Sequence, residues 1–261
     1  AMEPTGLVLS TRRDRRCAGG SSPSRSADHS LGCARMSDEL AVLRDMLCRS
    51  KTEFCRVCFT SAPHGVEQNP PNVFRVDRKV RPSFFFIFDK PNNNDMFRAS
   101  DLVPITVFDA RPAFGRQPSY DNLLRLLDLL GLRTRGQGDP LASGSVHVTN
   151  AVKCDKCALT GQAGRVTINP EQSENCVDRY LARELAILRP QALVFFGKAP
   201  QEYALGYATP TWQAIQATIS GATYWMMRVP HTSPTSYNTH GRVGAGYVEP
   251  FKQLKTLAGI P

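Results

Sequence analysis

A three-layer α/β/α fold around a central, mostly parallel four-stranded sheet is the class this sequence predicts, and three observations predict it. Apolar runs of strand length, "SFFFIF" (83–88), "GSVHVTN" (144–150), "QALVFFG" (191–197) and "ATYWMMRVPH" (222–231), alternate with stretches of helical period. Two of these runs, 83–88 and 191–197, are continuously apolar, as strands covered on both faces are. With 261 residues, the chain is long enough to bury the core that such a double covering needs.

Taken in order, residues 1–35 are rich in Arg, Ser and Gly and lack a hydrophobic period, so they read as a flexible basic arm ahead of a domain at 36–261. Ala1-Met2 reads as a cloning remnant and Met36 as an alternative start. Leu40, Leu43, Met46 and Leu47 fall at helical spacing and lead into the C-x-x-C of Cys55 and Cys58. The "SFFFIF" strand stops at the polar turn "DKPNNND". A Leu-rich helix follows at 119–132, with Ser119 as its N-cap and Gly131 as its stop. After the 144–150 strand, one long helix is expected at 169–188, with Pro170 in its first turn. The 191–197 strand leads into a short helix at 198–206. The last strand precedes a closing helix at 245–259, broken or entered near Pro250.

Ligands of parallel sheets bind beyond the carboxyl ends of the strands. That rule singles out Asp89 to Asp95, Asn150 to Cys157, Gly197 with Lys198, and His231 to His240. Lys plus Arg exceed Asp plus Glu by 32 − 23 = 9, and the pI is near 9.3, which suits an anionic partner such as nucleic acid and serves solubility equally. No apolar run reaches the roughly eighteen residues of a membrane span, so no membrane partner is expected.

Eight cysteines in a chain of this size without a secretory signal are not a disulfide scaffold. Cys55, Cys58, Cys154 and Cys157 form two C-x-x-C pairs that match a four-thiolate zinc site. A structural zinc site usually draws both pairs from one compact module, whereas two strands and nearly a hundred residues separate these. Reduced core cysteines are a further reading, and a redox dithiol lacks a thioredoxin-like context.

In sequence, the strand ends resemble the uracil-DNA glycosylase superfamily, most of all its iron-sulfur families 4 and 5. The matching pieces are Cys55 and Cys58, "FDKPN" at 88–92 and "PAFG" at 112–115 before the Leu-rich helix. "VTNAVKC", Cys176 ahead of "LARELAILRP", "VFFGKAP" and "HTSP" at 231–234 complete the series, so the resemblance covers roughly 37–257. The first motif departs from the family: Phe88, Asp89, Lys90 and Asn92 stand where it has Gly, Glu, Ala and Gly. Thr232 replaces a Pro, and the loop between Cys154 and Cys176 is longer than the family's.

The resemblance implies a monomeric DNA glycosylase that flips a pyrimidine, uracil by default, out of duplex or single-stranded DNA and hydrolyses its N-glycosidic bond. It implies a 4Fe-4S cluster on Cys55, Cys58, Cys154 and Cys176, with Cys157 as the rival to Cys154 and zinc as the alternative metal. Asp89 and His231 take the catalytic positions: Asp89 to place water or offset the sugar cation, His231 to donate a hydrogen bond to the departing base. Lys90, Asn92, Phe114 and Asn150 are the substrate contacts, the Asn150 amide reading a base edge and Phe114 stacking on it. Tyr237 is the wedge into the duplex, and Lys153, Lys198, His240 and Arg242 contact DNA phosphates. The rebuilt first motif leaves open a modified phage cytosine as substrate in anti-phage defence, and a non-catalytic DNA-binding protein is a further alternative. A cytoplasmic location is expected, bacterial or phage-associated, while the Arg- and Ser-rich arm also has the composition of an organellar transit segment.

Overall fold

The structure, a computed structural model, describes residues 35, 36, 38–43, 46, 81–89, 118–132, 145–153, 170–233 and 245–261. β1 (Phe84–Phe88) and β3 (Ala192–Phe196) are apolar at every position and need cover on both faces; they are buried throughout, as is β2 (Val146–Asn150), which carries His147, Thr149 and Asn150. Two further strands, β4 (Ala214–Ile219) and β5 (Ala222–Val229), bring the sheet to five among the described residues, in the order β2-β1-β3-β5-β4. β1 pairs parallel with β2 and β3, β3 pairs parallel with β5, and among the described strands only β4 runs antiparallel, against β5. The α/β/α expectation therefore holds, with one strand more than the four read from the sequence.

That extra strand, "AIQATI", hangs on a two-residue turn in which Ser220 and Gly221 both take positive φ, 51° and 81°. Paired positive φ values are those of a type I′ hairpin turn, whose twist matches the strands it joins. "S-G" between two apolar stretches was the available signal.

Alternation along β1 divides the core. Phe84, Phe86 and Phe88 face the layer of α1 (Pro118–Leu129) and α5 (Ala245–Leu257), with Leu123, Leu126, Leu127, Tyr247 and Phe251 in the same cluster. The Phe251 ring meets Phe84 and Phe86 edge-on at centroid distances of 5.9 and 6.0 Å. Phe85 and Ile87 face the opposite layer: Met36, Leu40 and Leu43 of the N-terminal helical residues, and Tyr180, Leu181, Leu185 and Leu188.

α1 starts at Pro118, so Ser119 lies inside its first turn and is not its cap. The proline supplies a preset φ and lacks an N–H that the first turn could not use. The helix stops as read, at Gly131 with φ 66°, where Leu132 N donates to Leu127 O at 2.8 Å and Gly131 N to Asp128 O at 3.1 Å, a Schellman closure. The single helix expected at 169–188 is interrupted: α2 (Pro170–Cys176) passes through a π turn (Val177–Leu181) into α3 (Ala182–Leu188). Ala182 N–H reaches back five residues to Val177 O, and the widened turn begins at the residue after Cys176. α4 (Ala199–Leu205) follows β3, and α5 runs unbroken through Pro250 in its second turn, which forgoes only the bond to Gly246 O. No helix among the described residues is long and apolar enough to cross a membrane.

Candidate active site at the strand ends

The chain runs from β1 to β2 on one side and then crosses to β3 on the other side of β1. A crevice outside the carboxyl ends opens at such a switch point. The residues around it are Asp89 after β1, Asn150 at the end of β2, Gly197 and Lys198 after β3, and His231 two residues after β5. Gly197 takes φ 106°, a conformation that side-chain-bearing residues rarely adopt, and its N–H bonds Val229 O at 2.8 Å, fixing the turn into α4 against the end of β5.

Phe88 and Asn150 are register partners at the last rung of the β1–β2 ladder. The ladder extends past it: Ala151 N bonds Phe88 O at 2.8 Å and Val152 N bonds Asp89 O at 3.0 Å. The Phe88 ring stacks on Phe196 at 4.4 Å with planes 5° apart, and the His231 ring meets Phe88 edge-on at 5.5 Å. The structure thus gathers Phe88, Asn150, Phe196 and His231 at adjoining strand ends on the α1/α5 side.

His231 has a defined hydrogen-bond state. Its Nδ1 accepts from Ser233 N at 2.9 Å, and burial pushes its pKa below the ordinary 6.5, so at neutral pH the ring is uncharged. With Nδ1 as acceptor, the one ring proton sits on Nε2, which makes Nε2 a donor. The loop that carries it is anchored from α1, where buried Asn122 donates through Nδ2 to Thr232 O at 3.0 Å. Sequence reading missed Asn122 because it looks like one more polar residue in a Leu-rich helix.

Asp89 lies at the same strand end but on the other side of β1. The Tyr203 hydroxyl of α4 donates a hydrogen bond to its carboxylate, and burial together with that negative charge raises the tyrosine's pKa to about 12. Tyr203 packs with the cluster on the α3/α4 side of the sheet, so Asp89 and His231 flank the end of β1 from its two sides. No signal in the sequence marked Tyr203, which lies in a short helix of mixed composition.

Lys153 corrects an expectation. It is 2 % exposed, its ammonium is ion-paired with Glu184 of α3 and bonds Thr149 Oγ1 at 2.6 Å, so it cannot reach a DNA phosphate. The hydrophobic layer of α3 covers the β2 end there, and a lysine under it needs an internal anion. Lys198 is exposed as expected, and its ammonium lies 2.8 Å from Glu202.

Cys176 is buried at the junction of α2 with the π turn. The other three expected ligands, Cys55, Cys58 and Cys154, lie outside the described residues, as do Lys90, Asn92, Phe114, Tyr237, His240 and Arg242. Among the described residues no group of His, Cys, Asp and Glu is arranged to hold a metal. One observation fits a sulfur-rich centre. Beside Cys176, Asn175 Nδ2 is buried with no acceptor among the described residues, and a cluster sulfur or thiolate accepts such a donor.

Residues 109–255 match the family model described as Uracil DNA glycosylase superfamily. No curated protein matches the chain.

Proposed function

The chain belongs to the uracil DNA glycosylase superfamily, which suggests DNA glycosylase action on DNA, and from that premise we propose that it flips out a pyrimidine, by default uracil, and hydrolyses its glycosidic bond. The observation that carries this reading is the neutral His231 at the end of β5, with Nδ1 committed to Ser233 N and Nε2 left as the donor. Such a donor stabilises negative charge that develops on the departing base without first having to lose a proton. The bond between C1′ and the base breaks with its electron pair leaving on the base. Water then adds its oxygen to C1′, one water proton is released, and the base anion takes up a proton, leaving an abasic site.

Asn150, buried at the last rung of β2, offers one donor and one acceptor to the base edge. Asp89, held by Tyr203, positions the water and offsets the cationic sugar. Lys90, Asn92 and Phe114 complete the base pocket, Tyr237 enters the stack, and Lys198, His240 and Arg242 meet phosphates. Cys55, Cys58, Cys154 and Cys176 would hold a 4Fe-4S cluster, which would supply a structural cross-link between the N-terminal helix and the sheet, zinc being the alternative occupant.

Phe88 favours a second substrate reading. Where the first motif of the resembling families has glycine, this ring lies stacked on Phe196 and against His231, so the floor beneath the base is aromatic. A pocket rebuilt in this way differs from the family's, and a modified phage cytosine is the alternative substrate we propose for it. Incubation with uracil-containing duplexes and with phage DNA bearing modified cytosine, followed by alkaline cleavage at abasic sites, tests both readings. Scission of the uracil duplex is the expected result, scission of the phage DNA alone would transfer the assignment to defence, and scission of neither would leave a DNA-binding protein without catalysis.

A further inference from the structure

Glu184, His147 and Lys153 form an enclosed polar cluster at 0, 1 and 2 % exposure, and the mechanism above uses none of them. His147 sits in the middle of β2 with its ring 4.8 Å from that of Phe85. Its Nε2 donates to Glu184 Oε2 at 3.3 Å, while the other Glu184 oxygen takes the Lys153 ammonium. The same ammonium donates back to Thr149 Oγ1 at 2.6 Å. One carboxylate from α3 therefore holds β2 before Asn150, through His147, and after it, through Lys153, whose bond to Thr149 closes a loop around Asn150, Ala151 and Val152.

Burying an ammonium and a carboxylate here has no packing rationale, because apolar side chains of similar volume fill such a site with equal or better stability. What the pair adds is direction: each bond has a fixed partner and angle, whereas an apolar contact tolerates sliding. The residue inside this loop is Asn150, whose amide must meet a base edge with both donor and acceptor aligned, and a displacement of about 1 Å costs on the order of a hundredfold in rate.

We infer that Glu184 is a positioning residue for the base-reading end of β2, aligning Asn150 through its bonds to Lys153 and His147. The inference rests on the reading of Asn150 as a base contact. Because Glu184→Gln alone leaves a buried, uncompensated ammonium and can fail to fold, the test uses the paired variant Lys153→Met/Glu184→Gln. It removes both charges, keeps the volume and retains an amide oxygen for His147.

Hydrogen exchange of the paired variant against the parent is expected to accelerate at Ala151 and Val152 by about tenfold or more, with the β3 and β5 amides unchanged. In the same variant, kcat for uracil excision is expected to fall by about tenfold or more with KM altered less than about threefold. Exchange at Ala151 and Val152 within about threefold of the parent overturns the inference, as does acceleration that spreads uniformly over the sheet. If the parent protein releases no base, the proposed function fails separately, and the exchange data alone decide whether Glu184 fixes this strand end.

Discussion

Replacing Asn122 with leucine should damage catalysis far more than its distance in sequence from the site suggests. Asn122 Nδ2 donates to Thr232 O at 3.0 Å, and both residues are buried, so the substitution keeps the side-chain volume on α1 but strips the Thr232 carbonyl of its donor. A typical buried hydrogen bond contributes about 1 kcal/mol, and a stranded buried carbonyl raises the loss to about 1–3 kcal/mol. The loss falls on the segment that carries His231, whose own bond to Ser233 N lies within the same turn. If the loop is displaced by that energy, the population with His231 in place drops by roughly five- to 150-fold at most. Single-turnover excision beside urea denaturation is the assay. The expected result is a kcat lowered by about tenfold with global stability reduced by no more than about 3 kcal/mol. Arg125→Ala, at an exposed position of the same helix, should leave both unchanged. Wild-type excision by a folded Asn122→Leu protein would refute the anchoring argument.

Excision should be flat above pH 6.5 and fall below it, because the depressed pKa keeps His231 neutral until the solution passes beneath the ordinary value. Stability has the same sign: the unfolded chain protonates first, so the contribution of the buried neutral ring is present above 6.5 and lost as pH falls through the lower folded value. Both are read from a pH–rate profile and thermal melts, and a His231→Gln protein should lose the inflection. For Glu184, burial alone would raise the pKa, but the Lys153 ammonium and then His147 outweigh it and hold the carboxyl below the usual 4.5. Its contribution to stability is accordingly present above pH 4.5 and lost below it. Glu184→Leu should destabilise by about 3–5 kcal/mol, and adding Lys153→Met should restore most of that, as urea midpoints of the two variants will show. Cys176→Ala should lower the iron content and visible absorption of anaerobically purified protein, whereas an unchanged iron content would remove Cys176 from the ligand set.

The parts of the fold that were legible in sequence are those fixed by local pattern. Continuous apolar runs marked β1 and β3, helical spacing marked α1, and Gly131 marked its end, because burial on two faces and a positive φ each demand particular residues. β4 was not read, since its half-buried, mixed composition is that of an edge strand and becomes a strand only by pairing with β5. The π turn after Cys176 likewise has no sequence period of its own.

For the site, the sequence by itself determined which residues stand at the strand ends, Asp89, Asn150, Lys198 and His231, because strand length and topology place them there. Only tertiary structure decided what each one does with its hydrogen bonds. His231 is a neutral donor because burial disfavours its cation and Ser233 N occupies its other nitrogen, Asp89 answers to Tyr203, and Lys153 lies inward on Glu184 and not outward on DNA. A charge in a sequence has no direction until packing assigns its neighbours, and Lys153 and Glu184, thirty-one positions apart, become partners only when α3 is laid across the end of β2.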